Sequence, residues 1–567
     1  MSATMQAAKR KQRLKRMGIL AVLLLFLGFS TLVILANFYV EPVLRKRLHT
    51  LIIDGSDSLY TYTLGALDTD LLGGHIAVVD LQISIDSNRY AFLESRQALP
   101  ALLMQLDVKK ATIRGIGIFS LLFNKKILIK EISSQKADIR IFRNIKEEEE
   151  DSSVTAAKPK LPLWQILQPD IKDIAVDRIR LDGIKLLYKN TGGEDAAKLQ
   201  FDRCDAVFDN IRIDSAALAD TSRIGYVQQF SFQLNDLKFR TPDSTYKLKA
   251  EWIIYDSEKR LLQLDQFKLQ PTLKEEERND SLRKSWYTLT FDKVAFMGLR
   301  LDRYLRYNRA EADSVTFQNP KLAIYQDKKG EKIYKSKIGQ YPHQQLLQAG
   351  AIIAMKKFVA HNMEVALTEK HAETGEEGTI TLSQLEIVAE NMVNDPVLVK
   401  RNPLTTAVAR GKIIGSPIQA AFQFYLDSAA GRYDVKGSVQ NLSAAQLNPI
   451  TTRLANVLVP SVDIEELKFA VQGEDFSAVA DVEMRYRNLA LVFRKRDEET
   501  GVNSTRSFIT RILNRYVIHD SNPAGGRERK AIGVKVPRQT TQSFFSIIWE
   551  AVFTGMQRIM MKSGRMD

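Results

Sequence analysis

Cysteine is nearly absent from this sequence: Cys204 stands alone among 567 residues. A single thiol closes no intramolecular disulfide, which excludes the small cross-linked secreted folds and leaves packing alone to hold any extracytoplasmic domain. The short motifs that carry chemistry are missing too. There is no G-x-x-x-x-G-K-[ST], no H-E-x-x-H, no G-x-S-x-G and no C-x-x-C. The six histidines, at 49, 75, 343, 361, 371 and 519, are scattered. The nearest approach to a metal cluster, His361 with Glu364 and His371 with Glu373, surrounds a Gly- and Glu-rich turn. A solvated loop is the simpler reading there than a zinc site. Cys204 lies among Asp202, Arg203 and Asp205 with no activating base, and reads as a structural thiol. Carboxylates such as Asp68 and Asp70 are too common to nominate as acid and base. These absences predict no enzyme, no cofactor and no metal.

What the sequence does have is one long apolar run. Met17 to Tyr39, MGILAVLLLFLGFSTLVILANFY, carries no charge, and at ~1.5 Å per residue it reaches across a ~30 Å hydrocarbon core. Ile19, Leu20, Val22, Leu23, Leu24, Leu25, Phe26, Leu27, Phe29, Leu32, Val33, Ile34 and Leu35 are the residues of this predicted transmembrane anchor. The arm before it carries Lys9, Arg10, Lys11, Arg13, Lys15 and Arg16, which the positive-inside rule keeps in the cytoplasm against the smaller flank Arg45, Lys46 and Arg47. The remainder is then expected across the membrane. A cleaved signal peptide is the competing reading, disfavoured by the length of the run and by the lack of a small-x-small site after Phe38. The net charge of +14 includes that arm, and the other cations are interspersed with 67 acidic residues. Membrane proximity accounts for the surplus, and an exported chain meets no nucleic acid.

With 45% hydrophobic residues, a chain of this length supports several domains or one extended one. Glu41 to Tyr62 starts with Pro42 and reads as a juxtamembrane helix through Val43, Leu44, Leu48, Leu51 and Ile52. Then the period changes to two. After a Gly73–Gly74 turn, Ile76, Val78, Leu81, Ile83 and Ile85 mark a half-buried strand, and further strands are predicted over Leu106–Ile116, Ile127–Ile132 and Ala137–Phe142. The acidic stretch Glu147 to Asp151, with the small residues and prolines up to Pro162, buries too little to order itself and reads as a linker. A loose β-phrase recurs beyond it. Ile174, Val176, Ile179, Leu181, Ile184, Leu186 and Tyr188 resemble the run from Ile127 to Ile141, the run Val315, Phe317, Leu322, Ile324 and Tyr325, and the run Phe358, Met363, Val365 and Leu367. Strands are also predicted over Tyr226–Phe239, Tyr246–Tyr255, Leu261–Leu269 and Trp286–Leu301, and one helix over Gln344–Lys357.

The clearest alternation runs from Val408 to Phe493. Ile418, Ala420, Phe422, Phe424 and Leu426 precede Tyr433, Val435 and Val439; Leu467, Phe469 and Val471 precede Ala478, Ala480, Val482, Met484 and Tyr486, with a short helix over Ala444–Val457 between the pairs. This is the pattern of antiparallel strands with one greasy and one wet face. Two partners for the greasy face remain open, a second sheet that closes a sandwich or the acyl chains of lipid. The candidate groove residues in the first half are Ile127, Ile129, Ile139, Ile141, Ile184 and Leu186. Those in the second half are Phe422, Phe424, Val435, Phe469, Val482 and Met484. At the C-terminus, Phe545, Ile548, Trp549, Val552, Met556 and Ile559 form an apolar helix face opposite Glu550, Thr554, Gln557 and Arg558, with Ser543 as N-cap. This helix reads either as a lid on the sheet or as an interfacial, partner-binding element.

One anchor, a juxtamembrane helix, strand phrases such as LLGGHIAVVDLQISID and IRLDGIKLLYKN, and above all the stretch GKIIGSPIQAAFQFYLDSAAGRYDVKGSVQNLSAAQLNPITTRLANVLVPSVDIEELKFAVQGEDFSAVADVEMRYRNLAL resemble the AsmA-like proteins, relatives of TamB in Gram-negative envelopes. Gly437, Asn448, Pro449, Gly473, Tyr486 and Leu489 fall where that family places its turn, helix and final-strand residues. The acidic insert after Arg143 and the polar stretch Asp497 to Lys535 depart from it.

The resemblance implies an inner-membrane, single-pass protein whose bulk is periplasmic, carrying phospholipid between membranes or assisting outer-membrane assembly with an envelope partner. The expected fold is mainly β: an N-terminal transmembrane helix, then a long curved antiparallel groove-like sheet with a few short helices and a C-terminal amphipathic helix. In residues, this divides as arm 1–16, anchor 17–39, first β region 40–146, linker 147–162, middle repeats 163–400, closing domain 401–496, polar connector 497–540 and helix 541–567. A structural or regulatory envelope scaffold with a closed β core is the rival expectation. An envelope hydrolase is a weaker one, with no residues to nominate.

Overall fold

Alternating apolar residues become strand almost wherever they occur. The computed structural model describes residues 42–562 except 43–44, 47, 51, 71–72, 101, 118–119, 121–122, 144–172, 191–197, 274–284, 330, 332–333, 373–374, 455–456, 497–502 and 506–516. The apolar run Met17 to Tyr39 and the acidic segment 147–162 lie outside the described residues. Among the described residues no helix is long and apolar enough to cross a membrane. The chain divides into two compact units, Met1–Asp236 and Leu237–Asp567.

In the first unit, β1 (Tyr60–Asp70), β2 (His75–Ile85), β3 (Leu102–Arg114) and β4 (Lys126–Arg143) form an antiparallel meander. Next, β5 (Asp173–Asn190) joins β4 in parallel, and β6 (Lys198–Ile213) pairs antiparallel with β5. Helix α1 (Ser87–Ser95) links β2 to β3, its first turn capped by the Asp86 side chain, which accepts from the Arg89 amide at 2.8 Å. A short α2 (Ser215–Ala219) follows β6, and β7 (Val227–Arg240) contains the boundary between the units. The juxtamembrane stretch is helical at 48–50, but its end, Tyr60 to Tyr62, already belongs to β1.

The strands predicted separately over Ile127–Ile132 and Ala137–Phe142 are one strand. The polar break between them is a kink: Lys136 has φ 51°, beside Gly183 at φ 67° in β5 and level with Asp80 at φ 50° two strands away in β2. A left-handed residue inside a strand turns the chain locally without ending the strand, and the pairing of β4 with β3 and β5 keeps its register on both sides of Lys136. The sequence repeat has a spatial meaning as well. Ile127, Ile129, Ile132, Ile139 and Ile141 pair in register with Ile174, Val176, Ile179, Leu186 and Tyr188 of the parallel neighbour.

The second unit opens with β8 (Tyr246–Asp256), β9 (Leu261–Pro271) and β10 (Ser285–Met297), paired antiparallel. Helix α3 (Leu301–Tyr307) leads into β11 (Arg309–Gln318) and β12 (Lys321–Asp327), which pair with the two halves of β10. After α4 (Pro342–Leu347), β13 (Ile352–Lys370) runs parallel to both β11 and β12, so a second set of repeated phrases also lies side by side: Val315 faces Phe358 and Ile324 faces Leu367. Antiparallel pairing then continues through β14 (Glu377–Val393), α5 (Pro396–Arg401), β15 (Leu404–Ile413), β16 (Ser416–Tyr425), β17 (Tyr433–Ser443), α6 (Ala444–Leu454), β18 (Val457–Gly473) and β19 (Ser477–Arg496). The short β20 (Asn503–Thr505) and then β21 (Lys530–Pro537) add to β19, and the last element is α7 (Phe544–Met560).

Three expectations are corrected here. The helix expected over Gln344–Lys357 stops at Leu347, because Gly350 interrupts it and the β-branched Ile352 and Ile353 are captured by Arg309 and Ala310 of β11. The helix expected over Ala444–Val457 ends at Leu454, and Val457 opens β18. The polar connector 497–540 contains β21, whose alternation is hidden by Gly533 at φ 65°, a bulge that separates the buried Ala531 from the buried Val534 and Val536.

The largest core belongs to the second unit, where α7 packs on β19, β21 and β18. The helix lies tightly on the sheet at Gly555, where a Cβ would stand 2.4 Å from a Val482 methyl. Replacing Gly555 with Val should therefore lift α7 and cost roughly 1–3 kcal/mol in overpacking. Urea denaturation should show it as a lower midpoint with the β-sheet circular dichroism signal unchanged.

Candidate functional site

Cross-strand register gathers the alternation into rows. In the first unit Tyr62, Ile83, Leu106, Ile139, Leu186 and Phe201 are successive partners from β1 to β6. Directly opposed residues share a face of the sheet. Six strands thus give one unbroken apolar row, and a second row, seven residues away along the strands, reads Thr69, Ile76, Ile113, Ile132, Ile179 and Phe208. In the second unit a single row crosses twelve strands from β8 to β21: Tyr255, Leu262, Phe296, Val315, Phe358, Ala389, Ala407, Phe422, Val435, Val471, Ala480 and Val534.

These rows differ in their cover. All six side chains of the first-unit row are half-buried, and among the described residues no helix packs broadly on β1 to β6. Along the second-unit row Leu262, Phe296, Phe358, Ala407 and Phe422 are likewise half-buried, interspersed with the buried Tyr255, Val315 and Ala389. The row is then sealed at its end. Val435 is 2% exposed, Val471 1%, and Ala480 and Val534 0%, in the core that α7 closes. The other helices cover parts of the second unit, with α3 on β11 and α6 on β18, β17 and β14.

Among the candidate groove residues, Ile139 and Leu186 are direct partners, as are Phe422 with Val435 and Phe469 with Val482. Ile127, Ile129 and Ile141 lie opposite Ile174, Val176 and Tyr188, and Ile184 lies opposite Cys204. Phe424, Val435, Val482 and Met484 do not line an open face, because α7 and its surroundings bury them completely or nearly so, and Ile184 is buried in a small core with Val108 and Ala137 against which Leu106 and Ile139 pack. The helix residues split between two environments. Ile548, Val552 and Ile559 are buried against the sheet and Met556 is half-buried, whereas Phe545 and Trp549 are 67% and 60% exposed.

The residues that carry the family resemblance have structural work. Asn448 ties α6 to β18 by two hydrogen bonds with Val459, each 2.8 Å. Pro449 lies inside α6. Gly437 leaves room for the Phe469 ring and Gly473 for the Tyr433 ring, and the buried Tyr486 donates to the His519 carbonyl at 3.1 Å. Leu489 is buried in the same core.

The polar residues singled out from the sequence are engaged in pairs. His361 faces Glu386 at 2.8 Å and Glu364 meets Lys321 at 3.0 Å, while Glu373 lies outside the described residues. No group of three potential metal ligands occurs among the described residues. Burial, reinforced by the Asp205 carboxylate, pushes the Cys204 thiol up, away from the reactive thiolate. A depression of about 400 Å³ beside β1 and α1, lined in part by Tyr60, Asp86, Arg89 and Phe92, holds an Arg89–Asp57 ion pair at its rim.

A buried polar cluster that no local pattern announced sits where α7 begins. The Arg538 guanidinium lies 4.1 Å from the Tyr341 ring and 3.5 Å from Asp475, and it donates to the carbonyls of Lys337 and Gln542. Gln344 donates to both Asp475 carboxylate oxygens at 3.1 and 3.0 Å, and the Tyr341 hydroxyl donates to the Glu474 carbonyl at 2.9 Å. Beside them His343 is 2% exposed between the Tyr341 and Phe424 rings, and neither ring nitrogen has a hydrogen-bond partner. These residues come from four separated parts of the chain, so only the fold could reveal them. No protein-family model and no curated protein matches the sequence.

Burial pushes the His343 pKa from 6.5 down to about 4, against the opposing pull of Asp475. Between those two values the unfolded chain binds a proton that the folded chain does not, so stability should rise with pH across that window. His343→Phe should flatten part of that rise. Urea midpoints measured between pH 4 and 7 check this, and parallel curves for the two proteins would refute it.

Proposed function

We propose that this protein is a non-enzymatic carrier of phospholipid, of the AsmA-like type, anchored in the inner membrane by Met17 to Tyr39 with its bulk in the periplasm and serving outer-membrane biogenesis. The observation that carries this reading is the apolar row from Tyr62 to Phe201, half-buried on all six strands with no described helix laid over it. Full burial of a Leu or Ile side chain is worth about 1.5–3 kcal/mol, so each half-buried member of the row leaves roughly 1 kcal/mol unrealised. Acyl chains laid along the face would realise it, and the left-handed residues Asp80, Lys136 and Gly183, with the register irregularity beside Gly183, supply the bend that turns a flat sheet into a groove. Headgroups would stay at the polar rim. The resemblance of Gly411 to Leu491 to the closing domain of AsmA-like proteins supports the same reading, including an envelope protein as partner. The scaffold reading is favoured by one observation, the sealed core beneath α7.

The test is native mass spectrometry of the full chain released from mild detergent. Phospholipid bound at defined stoichiometry is expected, and Ile139→Asn with Leu186→Asn should remove most of it while circular dichroism remains unchanged. A folded wild-type chain that holds no phospholipid and takes up none when it is added would leave the scaffold.

A further inference from the structure

Polar groups that no neighbour takes up converge at one place in the first unit, the depression beside β1 and α1. Its volume of about 400 Å³ falls within the roughly 300–1,000 Å³ that small-ligand sites occupy. At the rim the Arg89 Nε donates to the Asp57 carbonyl at 3.0 Å, and its Nη2 donates to the Asp57 carboxylate. The pair leaves each ion with an unused group. Among the described residues, Nη1 of Arg89 and Oδ1 of Asp57 have no hydrogen-bond partner, and neither do the side chains of Ser58 and Asn88 on the wall. Asp57 and Ser58 are both left-handed, at φ 52° and 64°. That backbone is unfavourable for a residue with a side chain, and such strained positions cluster at ligand-holding turns.

The rest of the wall is apolar. Ile53, Tyr60 and Phe92 line it, and Phe92 is 41% exposed, with the Arg89 and Arg96 guanidinium groups 4.9 and 4.3 Å from its ring. Tyr60 carries this wall onto the open row. It stands two residues before Tyr62 on β1 and so faces the same side, and it pairs with Ile85 as Tyr62 pairs with Ile83. Its hydroxyl accepts from the Met104 amide of β3 at 3.1 Å, so the ring reaches across β2 on that face. Charge around the depression is balanced, Arg89 and Arg96 against Asp57 and Asp86. A free anion gains little there, whereas a zwitterion can satisfy the unused group of each ion. We propose that the depression binds the headgroup of a phospholipid of the phosphatidylethanolamine class. The phosphate meets Arg89 Nη1, Ser58 and Asn88, the primary ammonium meets Asp57 Oδ1, and the glycerol end passes along Tyr60 to the apolar row. This site rests on the acyl-chain reading of the row; on that reading the predicted span ends at Tyr39, fourteen residues before Ile53, which sets the depression at the membrane end of the first unit.

The test equilibrates the full chain in mild detergent with equal amounts of phosphatidylethanolamine and phosphatidylglycerol and identifies the bound lipid by native mass spectrometry. The lipid most resistant to removal is expected to be phosphatidylethanolamine. Arg89→Gln should lower its occupancy about tenfold, the effect of losing a charge-assisted hydrogen bond, and Asp57→Asn should abolish the preference over phosphatidylglycerol. Asn88→Ala removes a side chain with no intramolecular partner, so it should weaken binding and leave the circular dichroism of the folded chain in place. Lipid lost in Ile139→Asn with Leu186→Asn, but unchanged in amount and class in the Arg89, Asp57 and Asn88 variants, would overturn the headgroup site and leave the carrier reading standing. The opposite pattern, sensitivity to Arg89 and Asp57 with none to the row, would support the site and contradict the row as the acyl path. Displacement of the lipid by excess inorganic phosphate would overturn the proposal in favour of a plain phosphate site, and a wild-type chain that holds no phospholipid would overturn both.

Discussion

A strand presents one apolar face only when each neighbour pairs in the register that puts its own apolar residues on that side, and a slip of one residue would send Ile139 and Leu186 to the opposite face. Everything of interest in this protein depends on that constraint being met across strand after strand. The rows in the two units are its visible result. They are built in part by repetition, since β4 with β5, and β11 and β12 with β13, place similar phrases side by side in parallel pairs. Parallel in-register pairing of like phrases is self-matching: each isoleucine meets isoleucine, valine, leucine or tyrosine, and the face stays apolar without further specification.

The same constraint creates a problem that different parts of the chain meet differently. A sheet greasy on one side needs a second layer. The last strands of the second unit obtain it from α7 and α6, and the outcome is a conventional core with Val482 and Ala480 fully excluded from water. The strands of the first unit have no such layer among the described residues, and their row stays half-buried. Close approach of the helix rests on Gly555, and its first turn is locked by the cluster of Tyr341, Gln344, Asp475 and Arg538. A buried arginine–aspartate pair is tolerated there because neighbouring carbonyls and Gln344 satisfy the remaining donors and acceptors.

Strand identity was legible in the sequence because period two is a strong local signal, and the alternation from Ile418 to Tyr486 maps onto β16 to β19 almost residue for residue. Where the period broke, reading it locally went astray. Lys136 splits one strand into two apparent ones, Gly533 hides β21, and Ile352 looks helical until its partner on β11 is known. The apolar face could be foreseen; which part of it is covered could not. Val435 and Ile139 follow the same alternation, and only the return of α7 to the sheet distinguishes core from open face. The cluster around His343 left no trace in sequence, since it joins residues up to 201 positions apart.

Photo-crosslinking in intact cells addresses most directly the claim that the open row holds acyl chains. A benzophenone side chain would replace Leu106 or Leu186 on the row and, as the control, Lys185, which is exposed and next in sequence to Leu186. Phospholipid adducts at Leu106 and Leu186 with none at Lys185 is the predicted result. Adducts at the two row positions formed only with protein, or in equal yield with lipid at Lys185, would contradict it.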